Sequence, residues 1–161
     1  MIMKNTVPEI MIMSRDKVEE FSITPFHQRI ALISITDANY SFAELRNKPH
    51  ELLQLAFDDV DNDVFEDELG REPTEEERIR IECQYNMLSD AQAKEIADFY
   101  KRVKDTVDVI ICQCEHGQSR SAAVAAALQE FSLHTGIEIF ADDRYYPNKV
   151  VYRKVYRALH N

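Results

Sequence analysis

The sequence predicts a single α/β domain with a central, mostly parallel sheet of about four to five strands, flanked by helices. Short apolar stretches rich in β-branched residues, such as Val109 to Cys112, are typical of strands buried on both faces. Segments with helical spacing of apolar residues follow several of these stretches. The chain has 161 residues, enough for one full core, and shows no internal repeat, low-complexity tract or linker, so one domain over residues 1–161 is expected.

Three strands are predicted in the first third of the chain. The predicted strands are Glu9–Met13, Arg29–Ile35 and Leu52–Phe57. A short helix from Arg15 and a segment with Pro25 are expected between the first two strands. Asn39–Asn47 is predicted to be a short helix or a loop.

A strongly acidic segment follows the third strand. Between Asp58 and Glu77 there are eleven acidic residues and one base, Arg71. Thr74 and Glu77 have the spacing of a capping box, which predicts that a helix begins at the next residue. Because this helix is rich in charge, residues 60–88 are expected to form an acidic, helical insertion on the outside of the domain.

In the second half of the chain, the predicted order is a helix, a strand and two further helices. Ser89 and Gln92 form another capping box, and the helix that follows has an apolar stripe. After the strand from Val109, a long helix is expected from about Ser119 to Thr135, with Gly136 as a left-handed stop. Residues 140–144 are predicted to form a loop, and the last helix is expected over Val150–Leu159.

The turn between strand and long helix is the main candidate for a functional site. Its sequence is Cys114-Glu115-His116-Gly117-Gln118-Ser119-Arg120-Ser121. A loop in this position directs backbone N–H groups and the positive end of the helix dipole at one point, which suits an anion. Gly117, one of only three glycines, lies where such a loop must turn sharply.

Three side chains of this loop have the chemistry that phosphoryl transfer needs. A thiolate is the nucleophilic form of cysteine, and a helix N-terminus with a nearby cation favours it at Cys114. The guanidinium of Arg120 is a planar fork of donors that can hold two oxygens of a tetrahedral dianion. Ser121 is placed to donate a hydrogen bond to the sulfur and ease its departure.

The loop resembles the signature of cysteine-dependent protein tyrosine phosphatases, especially the compact dual-specificity type. The features that carry the resemblance are the Cys–five residues–Arg spacing, the glycine third after the cysteine and the ending Gly-x-Ser-Arg-Ser. The likeness covers about residues 89–161. It implies a phosphatase-like fold, catalytic roles for Cys114, Arg120 and Ser121, and a loop that binds the substrate phosphate through Glu115, His116, Gly117, Gln118, Ser119 and Arg120.

The resemblance also implies a general acid, because the leaving oxygen of a phosphate ester needs a proton. In this family the acid is an aspartate on a loop just after a strand, upstream of the cysteine. Asp59 is the first choice, and Asp58 and Asp61 are close rivals, since a strand end cannot be located within one or two residues from sequence. Asn148, before the last helix, is expected to support the phosphate loop.

The family usually has histidine before its cysteine, whereas this chain has Gln113. Two alternatives to a phosphatase therefore stay open. In the first, the loop binds phosphate without catalysis. In the second, it resembles a rhodanese-like sulfurtransferase, against which Ser121 is an argument. The resemblance implies no cofactor, and Glu115 disfavours phosphoinositide substrates because it puts a carboxylate where such enzymes tend to have bases.

Composition narrows the partners further. The net charge of −10 disfavours nucleic acid and anionic membranes, so the expected partner is a phosphorylated protein or a small phosphomonoester. Cys112, Cys114 and His116 are too closely spaced for structural zinc, and no metal is expected. Cys112 is instead predicted to be a buried small hydrophobe. Three cysteines without framework spacing predict a reducing cytoplasm, and no membrane span is expected.

Overall fold

A computed structural model describes residues 6–23 and 28–161, and the predicted segment at Pro25 lies outside these ranges. The described residues contain one sheet of four parallel strands in the order β1-β4-β2-β3. The strands are β1 (Glu9–Met13), β2 (Ile30–Thr36), β3 (Glu51–Ala56) and β4 (Val109–Gln113). The predicted α/β class and the mostly parallel sheet of about four to five strands are confirmed.

The central strands β4 and β2 are buried along their whole length, which explains their nearly continuous apolar sequences. In the register, Val109 of β4 lies opposite Glu9 of β1 on one side and Ile30 of β2 on the other. Because all four strands run the same way, their carboxyl ends meet at one edge of the sheet. This is the edge at which open α/β sheets bind ligands.

Seven helices occur in the described part of the chain. They are α1 (Arg15–Glu20), α2 (Asp63–Leu69), α3 (Glu75–Gln84), α4 (Asp90–Val103), α5 (Arg120–Leu133), α6 (Ile137–Phe140) and α7 (Lys149–Leu159). Both predicted capping boxes are present, at Thr74 before α3 and at Ser89 before α4. Residues 39–47, predicted as a short helix or a loop, form a loop.

The main core lies on one face of the sheet, between the strands and α4, α5 and α7. Ala31, Ile33 and Ile35 of β2 point into this core, whereas Ile30 and Leu32 point to a smaller cluster beside α1 on the other face. Every residue of α5 from Arg120 to Leu128 is buried. The alanines in this stretch let the helix backbone pack closely against its neighbours.

The predicted end of the long helix is wrong in one detail. The left-handed residue is His134, with φ of 58°, which follows the last helical residue Leu133. Gly136 has a φ of −58° and instead precedes α6, which includes the start of the predicted loop at Phe140. A glycine is required at Gly136 because an added Cβ would lie 2.6 Å from the Ala126 carbonyl oxygen.

The segment from residue 60 to residue 88 packs against α7. Val64, Ile81 and Met87 form a small apolar cluster with Val150 of α7. That the segment is an insertion stays a prediction.

A buried ion pair lies beside this cluster. The Lys154 Nζ donates to Glu82 Oε2 at 2.7 Å and to the Leu88 carbonyl oxygen at 2.9 Å, and lies 3.1 Å from Asp90 Oδ1. The ammonium of Lys154 lowers the pKa of Asp90. The acidic segment is therefore joined to α4 and α7 by charge as well as by packing.

No helix in the ranges 6–23 and 28–161 combines the length and the apolar character that crossing a membrane requires.

The ion pair between Lys154 and Glu82 gives a prediction about stability. Replacing Glu82 with leucine leaves the Lys154 ammonium without its closest buried counter-charge, and we expect the free energy of unfolding to fall by about 3 kcal/mol. Urea unfolding followed by circular dichroism measures this. The double variant Glu82→Leu/Lys154→Met removes both charges, and we expect it to recover most of the loss. A double variant as unstable as the single one would contradict this account.

Candidate active site

The loop predicted to bind phosphate lies at the carboxyl end of β4, between that strand and α5. Its backbone is packed against the turn between β1 and α1. The Cys114 N–H donates to the Met13 carbonyl oxygen at 3.3 Å, and the Arg15 N–H donates to the Glu115 carbonyl oxygen at 3.1 Å. The loop therefore begins with its backbone fixed by the neighbouring edge strand.

Gly117 makes the sharp turn that its sequence position predicts. Its φ is 67°, in the left-handed region. A Cβ at this position would lie 2.7 Å from the Ser14 backbone nitrogen and 2.8 Å from the Met13 carbonyl carbon. Gly117 is thus required both by its conformation and by the close approach of two backbones.

Cys114 and Ser121 face each other at the base of the loop. The Cys114 Sγ and the Ser121 Oγ are 3.0 Å apart, and both residues are buried. At this separation the hydroxyl can donate a hydrogen bond to the sulfur. The sequence-based pairing of these two side chains therefore has a geometric basis.

Gln113 lies directly before the cysteine, and both ends of its side-chain amide are hydrogen-bonded. Its Nε2 donates to the Cys114 carbonyl oxygen at 3.0 Å, and its Oε1 accepts from the Ser34 Oγ at 2.5 Å. The side chain is buried and links β2 to the first residue of the loop. Gln113 can orient the Cys114 backbone, but it brings no charge to the site.

The guanidinium of Arg120 is buried, with 4% of the residue exposed. One end of the group, Nη1, donates to the Phe57 carbonyl oxygen at 2.7 Å and lies 2.7 Å from Asp37 Oδ1. The Nε is buried and has no hydrogen-bond partner among the described residues. A buried donor without a partner is costly, so a free Nε beside the loop indicates a place for an anionic ligand.

Asp37 was not among the site residues predicted from the sequence. A signal was available, because Asp37 directly follows β2 and the carboxyl ends of neighbouring parallel strands meet at one edge. However, Asp37 looks like any other residue at a strand end unless it is known that β2 lies beside β4.

Asp59 accepts a hydrogen bond directly from the loop, whereas the bonds described for the carboxylates of Asp58 and Asp61 come from other segments. The Asp59 Oδ1 accepts from the Ser119 Oγ at 2.8 Å and from the Asn148 Nδ2 at 2.9 Å. Asp61 accepts from the Lys149 and Val150 N–H groups at the start of α7. Its carboxylate therefore caps that helix.

Asp58 accepts from the Ala38 N–H at 2.8 Å. Asn148 also donates to the Val60 carbonyl oxygen, and its N–H donates to the Ser119 carbonyl oxygen. The expected support of the loop by Asn148 thus consists of bonds both to the loop and to the segment that carries Asp59.

The remaining loop side chains point in different directions. The Glu115 carboxylate pairs with the Arg15 Nε at 2.8 Å, so it is held toward α1. His116 and Gln118 are exposed, and the Gln118 carbonyl oxygen accepts from the Tyr146 N–H. The predicted contacts of these residues with phosphate would therefore come from the loop backbone more than from the side chains.

A cavity of about 480 Å³ opens above the loop. It is lined by Asp37, Ala38, Tyr40, Asp58, Asp59, Glu115, His116 and Arg120. Predicted residues from separate parts of the chain thus share one cavity at the carboxyl edge of the sheet.

The three cysteines have different environments. Cys112 is fully buried in the main core, as predicted, and burial raises the pKa of its thiol far above its usual value. Cys83 is an exposed residue of α3. Within the described residues, no group of three or more His, Cys, Asp or Glu side chains is arranged to hold a metal ion.

The geometry at Gly117 gives a prediction with a built-in control. Gly70 has almost the same φ, 65°, but an added Cβ would meet nothing within 4 Å. We expect Gly70→Ala to lower the free energy of unfolding by about 1 kcal/mol, from left-handed strain alone. Gly117→Ala adds a backbone clash, and we expect a loss of about 3 kcal/mol. Equal losses in urea unfolding would show that the contact with Ser14 is not tight.

Comparison with known proteins supports the fold. No family model and no curated protein matches the sequence. The crystal structure of the human tyrosine phosphatase-like serine/threonine/tyrosine-interacting protein aligns over 98% of this chain and 97% of its own, with a TM-score of 0.52 and 16% identity. PTPMT1, alone and in complex with PI(5)P, aligns over 94% of this chain and 90% of its own, with TM-scores of 0.48 and 0.47 and 13% identity.

The alignment with the human tyrosine phosphatase-like protein spans nearly the whole chain, including the N-terminal half, where the sequence resemblance is loose. The chain therefore shares its fold with this tyrosine phosphatase-like protein.

Proposed function

We propose that this protein is a phosphatase that hydrolyses phosphomonoesters, on proteins or on small molecules, through a cysteinyl-phosphate intermediate. The observation that carries the proposal is the buried Arg120, whose Nε has no partner among the described residues while its Nη1 is held by Phe57 and Asp37. A guanidinium anchored at one end keeps its other donors for a ligand with paired oxygens. Phosphate is such a ligand, and Cys114 lies at the base of the same loop.

The first chemical step is attack of the Cys114 thiolate on phosphorus. A sulfur–phosphorus bond forms while the bond from phosphorus to the ester oxygen breaks. Arg120 and the loop N–H groups stabilise the charge on the equatorial oxygens. Asp59, in its protonated form, gives a proton to the departing alcohol. Its hydrogen bonds with Ser119 and Asn148 through Oδ1 support this role, because they fix the carboxyl group beside the loop and leave Oδ2 for the proton.

The second step releases phosphate. The Asp59 carboxylate takes a proton from water, the water oxygen attacks phosphorus, and the sulfur–phosphorus bond breaks to return the thiolate. The Ser121 hydroxyl, 3.0 Å from the sulfur, donates a hydrogen bond to the leaving thiolate. A hydrogen bond to the leaving sulfur has a clear role in breakdown of the cysteinyl phosphate, and this favours a phosphatase over a sulfurtransferase. Three free thiols suit a reducing cytoplasm, which we propose as the location.

A non-catalytic phosphate-binding module is the second candidate, and Gln113 is the observation that favours it. The amide of Gln113 orients the Cys114 carbonyl but supplies no positive charge to stabilise a thiolate. In that case the loop would recognise a phosphorylated partner and release it unchanged.

Hydrolysis of p-nitrophenyl phosphate tests the proposal. We expect the wild-type protein to hydrolyse it in the presence of EDTA. The rate should disappear in Cys114→Ser, which has no thiol to attack phosphorus. The absence of turnover across a broad pH range, in protein that still binds vanadate, would contradict the phosphatase and favour the non-catalytic module.

The role of Asp59 gives a separate prediction. Asp59→Asn keeps the oxygen that accepts from Ser119 and Asn148 but cannot donate an acidic proton. We expect kcat for an alkyl phosphate to fall by about 10²- to 10⁴-fold, with a smaller effect for p-nitrophenyl phosphate, whose leaving group needs less protonation. Asp61→Asn is the matched control, and we expect it to lower stability by about 1 kcal/mol with kcat unchanged. A loss of kcat in Asp61→Asn alone would assign the acid to Asp61.

A further inference from the structure

The cavity above the loop has an unusual balance of charge for a site that receives a phosphate. Four carboxylates line it, from Asp37, Asp58, Asp59 and Glu115, and Arg120 is the only arginine or lysine that the described residues contribute to it. Asp37 already pairs with that arginine, and Glu115 pairs with Arg15 of α1, which leaves Asp58 and Asp59 without a basic partner among the described residues. A phosphate dianion that enters this cavity therefore meets more negative than positive charge.

The carboxylates do not form a site for a metal ion that could offset this charge. They are spread around the rim, and the described residues contain no metal-binding group of three or more acidic, His or Cys side chains. Within the same ranges, Asp58 and Asp59 each accept hydrogen bonds through Oδ1 only. Asp58 therefore keeps one oxygen for a cationic ligand, whereas the second oxygen of Asp59 is the one proposed to carry the proton.

A second observation shows that the same cavity is built for a ligand. Arg120 is more than nine-tenths buried, lines the cavity and keeps an Nε that no described residue satisfies. An anionic group would satisfy this donor, and a cationic group would complement the carboxylates of the rim. A ligand that has both an anionic group and a cationic group satisfies both parts of the cavity.

A second depression in the surface lies next to the cavity. A groove of about 680 Å³ shares Ala38 with the cavity and runs along α3 and the start of α4. Of the residues that the structure describes, no base lines this groove, and its two acidic residues, Glu82 and Asp90, already pair with Lys154. Ile79 presents an apolar side chain that is half exposed. The groove therefore offers a largely neutral and apolar surface to a chain that continues from the cavity.

We infer that the substrate is a phosphopeptide whose residues next to the phosphorylated side chain are lysine or arginine. The inference rests on the proposed function for its phosphate site. The phosphate occupies the loop and Arg120, a flanking basic side chain lies against the free oxygen of Asp58, and the peptide continues past Ala38 onto the groove. The carboxylates that repel an isolated phosphate thus favour a phosphate that is flanked by basic residues.

Three phosphotyrosine peptides of one length test this, with lysine, glutamine or glutamate on both sides of the phosphotyrosine. We expect kcat/KM to be at least about tenfold higher for the lysine peptide than for the glutamate peptide. The ratio should shrink in high salt, which screens exposed charges. The same peptides are bound to Cys114→Ser protein, followed by fluorescence polarisation, so that the preference is also measured without turnover.

Two variants of equal net charge separate the cavity from the overall charge of the protein. Asp58→Asn keeps the bond from the Ala38 N–H and removes one rim charge, and we expect it to reduce the preference for lysine. Asp98→Asn removes the same charge from α4, away from the lining of both the cavity and the groove, and should leave the preference intact.

Equal kcat/KM and equal binding for the three peptides, with p-nitrophenyl phosphate still hydrolysed, would overturn this inference and leave the phosphatase standing. A lysine preference in binding, with no hydrolysis of any substrate, would support the inference and contradict the catalytic proposal.

Discussion

The burial of one positive charge organises the carboxyl edge of the sheet. A guanidinium that is withdrawn from water must be paired or hydrogen-bonded, because an uncompensated buried charge is costly. Arg120 meets this requirement with groups from two other strands, the carbonyl oxygen of Phe57 after β3 and the carboxylate of Asp37 after β2. The first residue of α5 therefore fixes the positions of two strand ends, and the loop before it is held between them.

The opposite side of the loop is fixed by close backbone contact, next to the ion pair between Glu115 and Arg15. Gly117 lets the loop lie directly against Met13 and Ser14, and the Cys114 N–H donates its hydrogen bond to the same turn. On a third side of the loop, Asn148 donates hydrogen bonds to Ser119 and to Asp59 and so connects the loop to the segment that contains Asp59. The loop geometry is thus a product of four chain segments, although the residues of the signature are contiguous in sequence.

Much of the fold was predictable from local patterns, since both capping boxes and the apolar strands need no knowledge of tertiary structure. The exact boundary residues were harder to predict, as at His134, because a left-handed stop at a residue other than glycine depends on the tertiary contacts of the next segment. For the site, the contiguous loop was predictable and Asp37 was not. Its importance depends on strand order, which places β2 next to β4. The sequence did not distinguish Asp59 from Asp58 and Asp61, because the hydrogen bond that Ser119 donates to Asp59 depends on where the loop lies in the fold.

The different exposures of the three cysteines make the groove along α3 accessible to chemical labelling. Cys112 is sealed in the core and Cys114 is buried in the loop, whereas Cys83 is exposed and lines the groove. In a chain whose Cys114 is replaced by serine, a maleimide dye would attach at Cys83 alone under native conditions. Because the chain has no tryptophan, such a dye would report on the groove without a competing intrinsic signal from an indole.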